Sequence, residues 1–145
     1  MIEITVIGLP QPAGSKKAFP IRRADGSVGV AVSDANPKAR EWKALVLDAA
    51  RQQHDGPPFT EALRLEITFN VPRPKSHFGT GRSSLILKRS APKFPTGRPD
   101  CTKLVRGTED ALTGVLWRDD AQIVDQVISK RYGRAGATIR VELAE

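Results

Sequence analysis

Four aspartates in the last third of the chain, Asp100, Asp110, Asp119 and Asp120, stand among basic residues, with Lys103 and Arg106 between the first two. Carboxylates are hard oxygen donors of the kind Mg²⁺ takes one or a few at a time, alongside water and phosphate oxygens. Such an ion makes a bound water a better nucleophile and neutralises charge as it develops on a phosphoryl oxygen, which is what phosphodiester hydrolysis requires. Lys103 and Arg106 would hold the phosphate. The pattern points to metal-assisted cleavage, with Asp100, Asp120, Arg106 and Lys103 as catalytic candidates and Asp100, Asp120, Asp119 and Asp110 as candidate metal ligands. The same spacing also fits a purely structural reading, in which Asp100 caps a helix, Arg106 and Asp110 form an i,i+4 surface pair, and Asp119-Asp120 is a solvated turn.

These residues need elements to position them. Leu104, Thr108, Ala111 and Leu112 fall on one helical face and Gly114 is placed to end it, so a helix is predicted over about 101–113. On that helix Lys103, Arg106 and Asp110 share the opposite, polar face. Asp100 sits at its positive N-terminal end, and Asp119-Asp120 in the turn that leads to the next strand. An earlier helix over about 37–53 starts from Asn36-Pro37, a cap followed by an N1 proline, and carries Trp42, Leu45, Val46 and Ala49 at helical spacing.

Period-two alternation marks strands at 2–7, at 63–70 through Leu63, Leu65, Ile67 and Phe69, and at 137–143 through Ile139, Val141 and Leu143. Residues 121–131, rich in Ile and Val, with glycines at 133 and 136, predict a C-terminal hairpin with that last strand. Residues 10–29 read as a basic loop, with a short strand from Val28 to Val32 after the turn pair Asp25-Gly26. The expected fold is α+β, a small mixed β-sheet packed with two α-helices, in a single domain over 1–145.

Residues 72–99 hold five prolines and seven Lys or Arg without any persistent period. A loop that long inside a small domain is functional or disordered. Over the chain, Lys and Arg total 23 against 16 Asp and Glu, a net charge of +7, so a polyanion is the expected partner, with nucleic acid ahead of an anionic membrane surface. The DNA-binding candidates are Lys16, Lys17, Arg22 and Arg23 in the first basic stretch, and Lys75, Arg82, Lys88 and Arg98 in the second. His77 and Phe78 are candidates to stack on an exposed base.

Cys101 is the single cysteine, which excludes an intramolecular disulfide and argues against cysteine-based zinc. His54 and His77 are too far apart in sequence to make a local ligand pair. No Ser-His-Asp set or phosphate-cradling glycine loop is present. The start of the chain lacks the basic opening and long apolar core of a signal peptide, and no apolar run approaches spanning length, so a cytoplasmic protein without a membrane partner is expected.

The run Arg98-Pro99-Asp100-Cys101-Thr102-Lys103-Leu104-Val105-Arg106, then Glu109-Asp110-Ala111-Leu112-Thr113-Gly114, then Trp117-Arg118-Asp119-Asp120-Ala121-Gln122-Ile123-Val124, resembles the signature of the RusA family of Holliday junction resolvases. The loops Pro12-Ala13-Gly14-Ser15-Lys16 and Arg73-Pro74-Lys75-Ser76-His77-Phe78-Gly79-Thr80-Gly81 resemble those of its phage- and prophage-encoded members. The resemblance implies a homodimer that binds branched DNA, four-way junctions above all, and with Mg²⁺ or Mn²⁺ makes paired nicks. It places the family's first acidic ligand at Asp100, the aspartate before Gln-Ile at Asp120, and the basic helix residue at Arg106, where lysine is usual. The chain departs from the pattern Pro-Asp-x-Asp-Asn, having Thr102 for the second aspartate and Lys103 for the asparagine. A neutral hydroxyl is a weaker ligand than a carboxylate, so coordination would shift onto Asp110, Asp119 or water, and the alternative expectation is a weak or inactive branched-DNA-binding protein.

Overall fold

The computed structural model describes residues 1–13, 16–34 and 36–145; the side chains of residues 16, 17, 33 and 34 lie outside the description. Strands β1 (Ile2–Ile7), β4 (Leu63–Val71), β5 (Ile123–Tyr132) and β6 (Gly136–Leu143) form one mixed sheet in the order β1-β6-β4-β5. Helices α1 (Pro37–Gln53) and α2 (Cys101–Leu112) cover one face of it, and β2 (Lys16–Arg22) pairs with β3 (Val28–Asp34) as a separate hairpin. The predicted α+β class, with a mixed sheet and two helices, is the observed one.

Burial explains the layering. Leu63, Leu65, Ile67 and Phe69 of β4 all point to the helix side and are buried, and Ile139 and Val141 of β6 and Ile4 and Val6 of β1 continue that surface. Onto it α1 lays Ala39, Trp42, Val46 and Ala50, and α2 lays Leu104, Val105, Thr108 and Leu112. Each fully buried aliphatic or aromatic side chain contributes about 1.5–3 kcal/mol. The opposite sheet face is polar, with Arg64 ion-paired to Glu142 and Arg140 to Glu3, as expected of a sheet with one wet side. The two helices are joined inside the core, where the Trp42 indole donates to Thr108 Oγ1 at 3.1 Å and Thr108 donates to the Leu104 carbonyl.

The helix limits follow their sequence signals. Asn36 accepts from the Lys38 amide at 3.1 Å, ahead of Pro37. At the other helix, Gly114 takes φ +92 just past the end, a conformation costly for any residue with a Cβ.

Two expectations fail. The C-terminal strands are no hairpin, because β4 lies between them, parallel to β5 with Ile67 opposite Ile128 and antiparallel to β6 with Ile67 opposite Ile139. The most apolar strand takes the centre of the sheet, so residues 133–135 cross over its end, where the Gly133 amide donates to the Val71 carbonyl. The first basic stretch is not all loop either, since Lys16–Arg22 pairs along the whole of β3, around the predicted Asp25-Gly26 turn. Pro20 is tolerated because this hairpin is only two strands wide, leaving an edge that needs no amide. The 72–99 loop is organised by short 3₁₀ turns at Lys75–His77 and Gly81–Ser83 and by backbone bonds between Gly79 and Ile86 and between Lys88 and His77.

Candidate active site

Helix α2 and strand β5 run side by side and fix the candidate residues. On β5 alternate residues face the helix: Gln126 donates to Glu109 Oε1, and Lys130 donates to the carbonyls of Gly97 at 2.7 Å and Pro99 at 2.9 Å, just before α2. From Gln126 to Lys130 a strand advances about 13 Å. From Asp100 to Glu109 a helix advances about the same. The two elements are thus matched in length, with one cluster of charge at each end.

At the N-terminal end, Asp100 caps the helix: its Oδ1 accepts from the Lys103 amide at 2.9 Å and its Oδ2 lies 4.0 Å from Lys103 Nζ. Its carboxylate is held by the positive end of the helix dipole and remains exposed. Lys103 and Arg106 stand on the exposed face, as their spacing predicts, with Thr102 exposed in the first turn.

The C-terminal end carries the more concentrated charge. Asp110 pairs with Lys43 of α1 at 3.5 Å, which aims it into the groove between the helices. Asp119 is committed to a capping box, accepting from the Ala121 amide at 2.8 Å while Gln122 accepts from the amides of Arg118 and Asp119. Gln122 also donates to the carbonyls of Phe59 and Glu61, so the turn is pinned to the body of the protein. Asp120, exposed, is the residue this turn presents.

Glu109, which spacing alone does not single out, is the electrostatic centre of this end. Burial, then the charges of Asp120 and Asp110, push its carboxyl from 4.5 up to about 6, against a smaller opposing effect of the Gln126 hydrogen bond. Its sequence signal is its place beside Asp110 in the run Glu109 to Gly114, which does not show its environment, because Gln126 and Asp120 reach it from outside the helix. Among the described residues no three His, Cys, Asp or Glu side chains group to hold a metal together. Asp100 and Asp110 stand about 15 Å apart along α2, beyond sharing one ion. The donor set that remains, Asp120 with Glu109 beside it, suits Mg²⁺, which binds through one or two carboxylates and completes its shell with water and phosphate oxygens.

A raised carboxyl pKa has a definite consequence for stability. The protonated form of Glu109 is favoured by folding, so its contribution is full below about pH 4.5 and is lost as pH rises through about 6. Glu109→Gln is expected to unfold at higher denaturant than the wild type above pH 6, by on the order of 1 kcal/mol after allowing for solvent screening, and to match it below pH 4.5. Urea titrations at pH 4 and pH 8 measure this difference.

Of the basic candidates, Arg22, Arg23, Lys75, Arg82, Lys88 and Arg98 are all exposed, while the side chains of Lys16 and Lys17 lie outside the described residues. His77 packs edge-on against Tyr132 at 5.4 Å, and Arg73 sits over the same ring at 4.2 Å. No helix among the described residues is long and apolar enough to cross a membrane.

Comparison with known proteins adds two findings. The chain is 27% identical over 135 residues to a protein of Bacillus subtilis (strain 168) described as "Uncharacterized protein YqaN", covering 90% of this chain and 87% of that one. The profile of the family described as Endodeoxyribonuclease RusA matches residues 17–144, a span that includes α2, β5 and every charged residue of both clusters. By that match over nearly its whole length, the chain belongs to the RusA family of endodeoxyribonucleases.

Proposed function

We propose that this protein is a Mg²⁺-dependent endonuclease that resolves four-way DNA junctions by paired nicks, acting as a homodimer in recombination and repair. The observation that supports it is the presence, on a RusA-family fold, of the neighbouring Glu109 and Asp120 carboxylates at the end of a helix that exposes the cations Lys103 and Arg106. Asp120 and Glu109 would hold the ion, while Asp100 stays with the helix cap at the far end of α2, beyond reach of the same ion; when bound, Mg²⁺ (or Mn²⁺) would supply an activated water and neutralise the phosphoryl oxygens.

The remaining roles belong to the chain itself. Arg106 and Lys103 bind the phosphate on the face that carries the carboxylates, and Lys130 holds the segment before α2 by its two carbonyl contacts. Asp119 acts through the capping box that presents Asp120, and Asp110 adds to the negative potential at Glu109. Arg22, Arg23, Lys75, Arg82, Lys88 and Arg98 contact the backbones of the arms.

The homodimer is supported by the β2–β3 hairpin. Two strands alone are marginal in water, yet this pair stands apart from the main sheet and exposes Val28, Val30 and Val32 along one face. A second copy of the same hairpin would cover them across a two-fold axis, which also sets two active sites for two strands.

Thr102, where the family has an aspartate, supports a second reading, a protein that binds branched DNA without cutting it. End-labelled four-way junction and linear duplex, each incubated with Mg²⁺, test the two. Nicks confined to the junction are expected; a junction bound but intact would leave the second reading.

A further inference from the structure

The end of the sheet where β4 and β5 finish carries a second concentration of chemistry. Val71 and Tyr132 are paired there, and the 72–99 loop folds back over them. Phe94 is 45% exposed, with the Arg131 guanidinium 5.0 Å and Lys93 Nζ 5.4 Å from its ring centroid. Arg73 covers Tyr132 at 4.2 Å. These residues and Phe78 line one cleft, and among the described residues lining it none is acidic. A neighbouring cleft shares Pro72 and Tyr132 and extends past Lys130 to Arg98 and Pro99, where Asp100 begins α2.

We propose that this cleft is a binding site for one unpaired nucleotide, its base stacked on Phe94 and its phosphates held by Arg131, Lys93 and Arg73. The proposal rests on the reading of the protein as a DNA enzyme and adds a site to it. Aromatic rings beside cations, without carboxylates, are the composition that binds single-stranded nucleic acid, because every base offers a π-face and every linkage a charge. Within a duplex both faces of a base are already stacked, so a lone ring in a cleft admits only a base that has left its stack. A cation over an exposed ring is held weakly, and both long side chains can exchange the ring for a phosphate at little cost. Continuity with the cleft that runs to Pro99 puts such a nucleotide at the start of α2, the helix that exposes Lys103 and Arg106, and a branch point is where unstacked bases occur.

The test uses the whole protein in EDTA, so that cleavage plays no part, with an oligothymidylate bearing one 2-aminopurine, a linear duplex and a four-way junction as probes. Wild type is expected to change the 2-aminopurine emission on binding. Phe94→Ala is expected to bind the single strand roughly tenfold more weakly without the emission change, to bind duplex as before, and to be rescued by Phe94→Trp. Phe94 is half exposed, so its truncation leaves the core intact. If Phe94→Ala matched wild type in single-strand affinity and emission while both bound the junction, the stacking site would be overturned and the DNA reading would stand. If wild type bound neither single strand nor junction at low salt, the DNA reading itself would fall.

Discussion

Asp120→Asn is expected to lower Mg²⁺-dependent nicking of a four-way junction on the order of a hundredfold or more, while junction affinity in EDTA stays within about twofold. The asparagine keeps the size of the side chain and the turn that presents it, since the capping box is made by Asp119 and Gln122. What it removes is one negative charge next to Glu109. Two effects follow from that single change. A ligand to a divalent ion is replaced by a neutral amide, and Glu109 loses the larger of the two charges that raise its pKa, so its carboxyl titrates lower. Mg²⁺ should raise the melting temperature of wild type at pH 8, because an ion bound only by the folded state stabilises it, and should do so much less for the variant. This second readout separates loss of the ion from damage to the fold. Asp119→Ala, by contrast, is expected to reduce nicking through the position of Asp120, with an added loss of about 1 kcal/mol in stability from the cap.

Val30→Glu is expected to weaken self-association by on the order of a hundredfold, converting the dimer to monomer in sedimentation at micromolar concentration. Val30 is 68% exposed on a hairpin that the main sheet does not support, so in a lone chain the glutamate would sit in water at almost no cost. Only if another surface covers Val30 does burial of an unpaired carboxylate become expensive. The variant therefore reports on a partner and not on the stability of the protomer, whose unfolding midpoint should match that of wild type at concentrations too low for association. On a junction, the monomer is expected to nick one strand per binding event where the dimer cuts two. A dimer undiminished by Val30→Glu would move the interface elsewhere.

The elements that carry the candidate residues were legible because their signals are local. Asn36-Pro37, Gly114 and the apolar spacing of each helix depend on nothing beyond the segment itself. The alternation of Leu63 to Phe69 made β4 equally plain, but not that it would be central, which depends on how β5 and β6 compete for its two edges. Strand β2 escaped because Lys16 to Arg22 lacks clean alternation and contains Pro20. In the candidate site, Lys103, Arg106 and Asp110 lie on one face as spacing requires, and Asp100 is also the helix cap that the structural reading expected. Glu109 could not be read, since its environment comes from Gln126 and Asp120 across a tertiary contact. The same holds for Phe94 and Arg131, 37 positions apart in the sequence and joined only by the loop's return over the sheet.

The most direct test of the central claim is the fate of a supercoiled plasmid that extrudes a cruciform, incubated with the wild-type protein and Mg²⁺. Paired nicks across the four-way junction predict a linear product, absent in EDTA and absent with Asp120→Asn. A plasmid that the protein binds at its cruciform but leaves uncut in both Mg²⁺ and Mn²⁺ would contradict the account.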